Sequence, residues 1–405
     1  MGARTETTTI DPLARRNAWI YLTGLGTSLI GNSMLSLVAG IWVKSLTGSN
    51  SAAAIVSVCA YAPSVLGPVS GVVADRFRRR PMLVVLNLVS AAAVLPLLFV
   101  HSAHQVWLID AVMVGYGLSL DLNTPAESAL FAAMLPVDVR RTVNGVRLAL
   151  QEGGKLVAPL LGAGLFVLLG GGVVAAIDAA TFVVAALALT RLRLTEPPQT
   201  RRERHWRAEL GAGFAHIRRD PLMRAVVIAG ALAMAISGVE TPAVYGLIDA
   251  LHRSPGFLGP LTSLLGAGSI IAGLTSGPLI RLIGERWLAI LGLCDGVLGA
   301  VLRAFGTTPT AIASSLVFGF ALPWTFVAVI NLTQRATPDH LQGRVSAAIT
   351  LALFAPQPIV QGVGAILIAH TSYRTIYLAA AVADIATAVW LGFRPAWSSP
   401  AARSG

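Results

Sequence analysis

The chain has 405 residues, of which 55% are hydrophobic and only 12% are charged, and its formal net charge is +11. A soluble domain normally has about 25% charged residues, so this composition excludes an ordinary soluble enzyme or binding domain. The mean hydropathy of +0.72 indicates instead a protein that crosses a membrane many times.

Apolar runs alternate with short polar breaks along the whole chain and predict twelve transmembrane helices. Each run is near or above the ~20 residues that a helix needs to cross the hydrocarbon. In chain order, spans 1 to 12 are predicted at residues 18–43, 51–74, 81–100, 106–135, 142–169, 173–192, 224–250, 256–283, 287–305, 310–335, 343–369 and 374–394. The predicted fold class is therefore an all-α polytopic membrane protein.

The basic residues follow the even-numbered spans. Arginines fill the breaks at 76–80 and 191–224, whereas the breaks on the other side hold Lys44, Arg253 and Arg374. Positive charge stays on the cytoplasmic side of a membrane, so both termini and all even breaks are predicted in the cytoplasm and the protein in the plasma (inner) membrane. Topology thus explains the net charge, and no nucleic-acid partner is predicted.

The two halves of the chain repeat each other. "GVVADRFRRR" begins at Gly71 after span 2 and "GPLIRLIGER" begins at Gly277 after span 8, an offset of 206 residues. Pro136 and Pro338, before spans 5 and 11, match at an offset of 202. Duplicated halves around a central site are typical of secondary transporters. The pattern predicts two pseudo-symmetric six-helix bundles, at residues 1–192 and 224–405.

The long break at 193–223 joins the two predicted bundles. In "HWRAELGAGFAHIRRDPLMR", apolar residues recur at helical spacing among basic ones, at Trp206, Leu210, Phe214 and Ile217. This spacing predicts a linker with an amphipathic helix that lies on the cytoplasmic membrane surface. A disordered basic linker is the alternative, because the "TEPPQTRRER" start is typical of a loop.

At the break after span 2 the sequence resembles the major facilitator superfamily, whose loop between helices 2 and 3 reads G-x-L-A-D-R-x-G-R-R/K. The matching positions are Gly71, Ala74, Asp75, Arg76, Arg79 and Arg80. "NTPAESALFAAMLP" in span 4, "AIDAATF" in span 6 and the segment ending in "DPLMRAV" are similar to the drug:proton antiporter branch that includes macrolide and enterobactin exporters. The resemblance covers essentially the whole chain and implies the major facilitator fold.

The resemblance also implies a conformational latch at Gly71, Asp75, Arg76, Arg79 and Arg80, which in the family joins the two halves at helix 11. A carboxylate at this edge can accept hydrogen bonds from a helix N-terminus and pair with arginine. The alternative is that the arginines only fix the topology, because one arginine at mid-membrane costs roughly 2.5 to 3.5 kcal/mol.

Span 5 contains "GKLVAPLLGAG", which resembles the antiporter motif of the family's helix 5. Gly154, Pro159 and Gly162 match that motif, while Ala158 and Ala163 replace two of its glycines. Small residues and a proline predict a kinked helix that packs closely against its neighbours. By resemblance, the motif implies an antiporter rather than a symporter.

A proton-coupled carrier needs an ionisable group inside the membrane, where such groups are costly and mark function. The proton-coupling candidates are Asp121 and Glu127 on span 4, Glu152 on span 5 and Glu240 on span 7. Acids on spans 6, 9 and 12 are expected to be structural hydrogen-bond partners, because the resemblance places those helices outside the cavity. These acids are Asp178, Asp295 and Asp384.

A polar stripe is predicted on span 5, where Arg147, Gln151 and Lys155 recur every fourth residue, beside Glu152. The stripe is predicted to face a substrate cavity, to which Asn32 of span 1 also belongs. By resemblance, Asn32 stands where close relatives often have an acid. A carboxylate paired with these cations suits a proton switch, but a permanent ion pair would use the same residues.

The sequence thus predicts a proton-coupled secondary transporter that exports an amphipathic small molecule, such as a drug, antibiotic, siderophore or secondary metabolite. The alternative is a lipid or metabolite transporter of the same fold that works by symport or facilitated diffusion. No enzyme activity, cofactor or metal is predicted, because "EGGKL" lacks the residues of a phosphate loop and "HSAH" lacks the glutamate of a zinc hydrolase. The expected partners are the substrate, protons and the lipid bilayer, and a monomer is expected.

Overall fold

The computed structural model describes residues 12–66, 70, 77–194 and 206–394. These residues form helices, short 3₁₀ turns and connecting loops, and none of them lies in a β-strand. The helices are α1 (Pro12–Thr47), α2 (Asn50–Tyr61), α3 (Arg79–Val94), α4 (Val106–Met134), α5 (Val137–Leu169), α6 (Gly171–Thr190), α7 (Trp206–Arg219), α8 (Pro221–Glu240), α9 (Ala243–Ala250), α10 (Leu258–Phe305), α11 (Thr308–Ala336), α12 (Asp339–Phe354), α13 (Gln357–His370) and α14 (Tyr373–Gly392).

The predicted all-α membrane fold is confirmed. Ten helical stretches of the described chain are long and apolar enough to cross a membrane. One of them, Pro255–Phe305, contains both predicted span 8 and predicted span 9, and the shorter apolar helix Asn50–Val65 contains the start of span 2. Residues 67–69 and 71–74 of predicted span 2 lie outside the described residues.

Predicted spans 7, 8, 9 and 11 differ in detail from the helices. Span 7 consists of α8 and α9, which meet at Pro242, and span 11 consists of α12 and α13, which meet at Pro356. Proline lacks the N–H of a helical hydrogen bond and its ring clashes with the preceding turn, so each helix ends there. Spans 8 and 9 are joined as α10, which turns at Gly284 with a left-handed φ of 79° that glycine adopts readily.

Successive helices run between two ends of the molecule. We call the end where α3, α5 and α12 begin the basic end, and the end where α2, α6 and α14 begin the opposite end. At the basic end, Arg80 Nε donates to the carbonyl oxygen of Leu189 at 2.9 Å, and Arg286 donates to the carbonyl oxygen of Gly392. These cations satisfy the last turns of α6 and α14. Arg80 and Arg286 are 206 residues apart, so the sequence repeat recurs as a repeated contact.

Helices of the same half pack together, and two crossings join the halves. In the first half α6 packs on α1 and α3, and α2 packs on α4; in the second, α10 packs on α11 and α14, and α14 on α8. Between the halves, α5 crosses α10 and α2 crosses α13. The predicted domain limits at residues 192 and 224 stay a prediction.

The crossing of α5 and α10 depends on small residues. A Cβ atom on Gly266 would lie 2.7 Å from the carbonyl oxygen of Lys155, and one on Gly259 would lie 2.9 Å from that of Pro159. Within the first half, a Cβ on Gly162 would lie 3.1 Å from Cα of Met34 on α1. Glycine lets these backbones approach closely. Two residues of the predicted helix 5 motif, Pro159 and Gly162, therefore lie at helix crossings, whereas a Cβ on Gly154 would have no neighbour within 4 Å.

The linker helix α7 lies against the second half at the basic end. Ile217 is buried in a cluster with residues of α8 and α12, and Gly213 approaches the backbone of Arg344 so closely that a Cβ would lie 2.9 Å from its carbonyl carbon. Leu210 borders the cavity described below. Ile217 of the predicted apolar face therefore packs on protein, and the placement of this helix on the membrane surface stays a prediction.

Candidate functional site

A cavity of about 1580 Å³ lies between the two halves. Its wall is formed by residues of α1, α2, α4 and α5 from the first half and of α10, α12 and α13 from the second. Because both bundles contribute, any relative movement of the halves changes the shape and the access of this space.

The residues that face the cavity follow the helical repeat. On α4 they are Met113, Tyr116, Gly117, Leu120, Asp121, Thr124, Pro125 and Ser128. On α12 they are Gly343, Ser346, Ala347, Thr350, Leu351 and Phe354. Both series have the spacing of three or four residues that keeps side chains on one helix face. Apolar and hydroxyl side chains alternate on both, so the wall suits a molecule with apolar and polar parts.

At the basic end, polar and charged side chains border the cavity. They are Glu209 of α7 and the exposed residues His340 and Arg344 at the start of α12. At this end the cavity therefore extends to the exposed start of α12 and to the linker helix.

At the opposite end, contacts between the halves close the space. Lys44 Nζ at the end of α1 lies 2.7 Å from Asp249 Oδ2 on α9, and only 6% of the lysine side chain is exposed. Ser51 Oγ on α2 donates to the carbonyl oxygen of Ala365 on α13 at 2.8 Å. Beneath these polar contacts, Ile41 of α1 is buried in one cluster with Tyr245 of α9. The cavity is thus open toward one end and sealed toward the other.

The family of this chain follows from comparison with known proteins. The family model described as Major Facilitator Superfamily matches residues 21–244, which is more than half of the chain. The chain belongs to the major facilitator superfamily. It is a multi-pass membrane transporter and not an enzyme.

Its relatives within the superfamily are distant. The chain is 23% identical to macrolide efflux protein A of Streptococcus pyogenes over 337 residues, which cover 80% of this chain and 82% of that protein. It is 24% identical to the multidrug efflux pump Tap of Mycolicibacterium fortuitum, over 80% of this chain and 83% of the pump.

Solved structures of other transporters share the fold. A bacterial homologue of the iron transporter ferroportin, in an inward-facing state, matches with a TM-score of 0.71 and 15% identity, covering 94% of this chain and 99% of that one. The nucleoside transporter NupG matches with a TM-score of 0.70 and 14% identity, covering 94% and 98%. These likenesses show the major facilitator fold alone.

Three predicted site residues of this superfamily member lie in the cavity wall, Asp121, Lys155 and Pro159. Lys155 Nζ is 2.6 Å from Glu152 Oε1, and both side chains are substantially exposed. Asp121 Oδ2 is buried and has no hydrogen-bond partner among the described residues. The charge of the lysine is therefore offset by its neighbour, whereas the aspartate lines the cavity without an ion-pair partner among the described residues.

Glu127 and Arg147 lie together inside the first bundle, away from the cavity wall. Their charges act on each other and on Tyr21 of α1, and the Arg147 Cζ atom is 5.9 Å from the ring centre of Phe131. Glu127 follows Asp121 by six residues, which is about 240° around a helix, so the two acids point in different directions. The predicted stripe is divided in the same way, since Lys155 lines the cavity and neither Arg147 nor Gln151 does.

Glu240 lies inside the second bundle at the end of α8. It is 5% exposed, and its charge acts on those of Arg303 on α10 and Asp384 on α14. Arg303 Nη1 donates to the Tyr377 hydroxyl at 3.0 Å. This buried set contains two acids and one cation, and Glu240 does not line the cavity.

Asn32 lies beside the cavity rather than in its wall. Its Oδ1 atom is 3.1 Å from the Tyr116 hydroxyl, which also donates to Asp178 on α6. Asp178 thus accepts a hydrogen bond, as the sequence predicts. The donor, Tyr116, belongs to the cavity wall.

The predicted latch lies only partly within the described residues. Gly71, Asp75 and Arg76 lie outside the described residues. Arg79 and Arg80 begin α3 at the basic end, where Arg80 binds the end of α6. The contact of Arg80 stabilises the packing of α3 on α6 within the first bundle, and a role in a latch stays a prediction.

Three further residues of the site, Lys44, Asp249 and Tyr116, were not predicted from their sequence positions. A signal was present for Lys44, because only two of the chain's 30 basic residues are lysines, Lys44 and Lys155. Both lysines form ion pairs next to the cavity. Asp249 and Tyr116 gave no comparable signal, since their importance comes from partners that are distant in sequence.

Proposed function

We propose that this transporter exports amphipathic small molecules across the plasma membrane in exchange for protons. The observation that supports the proposal best is a large cavity that both halves enclose and that is sealed at one end by contacts between them. Such an arrangement suits alternating access, in which the halves rock and expose the cavity to each side in turn. The printed names of the distant relatives, macrolide and multidrug efflux proteins, agree with export.

The proposed orientation places the basic end, and with it both termini, in the cytoplasm. This orientation follows from the arginines of that end, since positively charged loops remain on the cytoplasmic side. The cavity then opens toward the cytoplasm, where a molecule to be exported would enter. The Lys44–Asp249 ion pair then lies on the outer side.

The proposed energy source is the proton gradient. One charge that moves across 100 mV supplies about 2.3 kcal/mol, and a tenfold concentration ratio costs about 1.4 kcal/mol. One proton per cycle is therefore enough to support an export ratio above tenfold. The proton-coupling candidates are Asp121, Glu127, Glu152 and Glu240. Of these four, only Asp121 lines the cavity, so the structure supports Asp121 better than the other three.

Purified protein in proteoliposomes provides the test. With an imposed pH gradient, we expect ethidium, erythromycin or chloramphenicol to move against the direction of the protons, and a protonophore should abolish that movement. Movement of substrate with the protons would favour symport. Transfer of a fluorescent phospholipid between leaflets, without transport of the three drugs, would favour a lipid transporter; either result contradicts the proposal.

Asp121→Asn is expected to weaken transport of cationic substrates selectively. The variant keeps the size of the side chain and removes a carboxylate of the wall that has no ion-pair partner among the described residues. The KM for ethidium, a permanent cation, should therefore rise about tenfold, or about 1.4 kcal/mol. The KM for neutral chloramphenicol should not change. Initial rates in inverted vesicles measure both.

A matched control for this variant is Thr124→Val, which changes a polar residue on the same face of α4 without changing the charge. It should leave the ratio of the two KM values at the wild-type value. If the KM values for ethidium and chloramphenicol rise equally in Asp121→Asn, the carboxylate does not select for the charge of the substrate.

A further inference from the structure

A buried acid of the first bundle is joined to the cavity by a single side chain. Asp178 on α6 is 0% exposed, and its Oδ2 atom accepts a hydrogen bond from the Tyr116 hydroxyl. Tyr116 lines the cavity from α4, and its hydroxyl lies 3.1 Å from Oδ1 of Asn32 on α1. The carboxyl group is therefore one hydroxyl away from the cavity.

The hydrogen atoms of this network can be counted. Tyr116 has one hydroxyl proton and faces two acceptor oxygens, on Asn32 and Asp178. With Asp178 protonated, its O–H donates to the tyrosine oxygen and the tyrosine donates to Asn32, so each group is satisfied. With Asp178 ionised, the tyrosine donates to the carboxylate, and the Asn32 amide turns to donate its N–H to the tyrosine. The network can thus hold or release one proton without losing its hydrogen bonds.

No cation among the described residues stabilises an ionised Asp178. The other side chain that bonds its carboxylate, Thr181, is neutral, and α6 packs against α1, α3 and α5. Charged groups on those helices and on α4 have other partners or lie at other positions along them. They include Lys44 with Asp249, Arg80 with the end of α6, Glu152 with Lys155, Arg147 with Phe131 and Glu127, Asp121 in the cavity wall, and Asp110, an acid near the start of α4. A carboxylate buried without a cation is costly, whereas its protonated form is not, so the site favours holding a proton.

We propose that Asp178 is the proton-binding group of this transporter and that Tyr116 connects it to the cavity. On release, the Tyr116 hydroxyl turns from Asn32 to a water molecule in the cavity and passes its proton to that water, which becomes a hydronium ion, while the proton of Asp178 passes to the tyrosine oxygen. A carboxylate and a neutral tyrosine remain, so atoms and charge balance. This inference rests on the proposed function, because it names the group that couples protons to export.

The second bundle offers a matched position. Asp384 on α14 lies 206 residues after Asp178, and each acid precedes a threonine by three residues, Thr387 and Thr181. Asp384 is also buried, but it lies against Gly296 of α10. In the described part of the chain, no side chain of the cavity wall hydrogen-bonds to it. Asp384 is therefore buried as Asp178 is, but no hydrogen bond among the described residues connects it to the cavity wall.

The test uses the whole chain in proteoliposomes with ethidium as the probe and two measurements. The first is accumulation driven by a pH gradient, and the second is exchange of labelled for unlabelled ethidium at equal pH, which needs no net proton movement. Asp178→Asn keeps the acceptor for Tyr116 and should lower accumulation by about tenfold or more while leaving exchange unchanged. Tyr116→Phe should also lower accumulation, and Asp384→Asn should preserve both activities.

The possible results separate this inference from the proposed function. Accumulation at the wild-type level in Asp178→Asn would overturn the inference, and so would loss of exchange together with accumulation, because the acid would then serve packing alone. If Asp384→Asn lowers accumulation as much as Asp178→Asn does, the inference is also overturned. The loss would then follow from removing any buried acid, and not from removing the one that is connected to the cavity. A wild-type protein that exchanges ethidium but ignores the pH gradient would instead contradict the proposed function.

Discussion

Arg303→Met is expected to destabilise the transporter by about 3 to 5 kcal/mol, the usual cost of removing one partner from a buried charge set. The guanidinium group is buried at 8% exposure, and its Nε lies 3.4 Å from Ser314 Oγ. Its Cζ atom is 4.5 Å from the ring centre of Phe318. Without it, Glu240 and Asp384 would remain as two buried acids with no cation near them.

Thermal unfolding in detergent micelles measures this effect. Arg374→Met is the matched control, because Arg374 also donates to a tyrosine hydroxyl, that of Tyr373 at 3.1 Å, but is exposed; its melting temperature should stay near that of the wild type. Adding Glu240→Gln to Arg303→Met should restore part of the stability, since one of the uncompensated acids is removed. A melting temperature of Arg303→Met equal to that of the wild type would contradict the argument from burial.

Breaking the Lys44–Asp249 ion pair is expected to shift the transporter toward the state that is open at the opposite end. Lys44 is nearly buried, but 48% of the Asp249 side chain is exposed, so solvent weakens the pair. A loss of about 1 to 2 kcal/mol changes the ratio of the two states by about 5- to 30-fold. Export by Lys44→Ala and Asp249→Ala should fall because the cavity is less often open at the basic end.

Labelling of a buried cysteine reports the shift directly. Ile41→Cys lies in the apolar contact between α1 and α9, and in a background with Cys59→Ser and Cys294→Ser it should react with a maleimide faster when the ion pair is broken. The exchanged pair Lys44→Asp with Asp249→Lys should return the labelling rate toward the starting value. Arg253→Ala, which removes an exposed cation of the same end, is the control and should have no effect. Unchanged labelling in Lys44→Ala would show that the ion pair does not hold this end closed.

Much of the fold could be predicted from the sequence because membrane insertion depends on local properties. Length and hydropathy of each run define a crossing, and the arginines define which breaks share a side. The helix breaks at Pro242 and Pro356 were not predictable from proline alone, because Pro125 and Pro159 lie inside α4 and α5 without ending them. The joining of spans 8 and 9 at Gly284 was not predictable either, since glycine permits several backbone conformations and only the packing selects one.

Less of the candidate site than of the fold could be predicted from the sequence. The sequence by itself determined which residues share a helix face, so Asp121 belongs with Gly117, Thr124 and Ser128, and Glu127 does not. It did not determine which face meets the other bundle, because the helical period is the same for a face toward protein, lipid or cavity. The pairing of Lys44 with Asp249, 205 residues apart, and the burial of Asp178 behind a cavity-lining tyrosine were decided only by the tertiary structure. Both contacts arise where helices from distant parts of the chain cross, and such crossings depend on the packing of all the helices together.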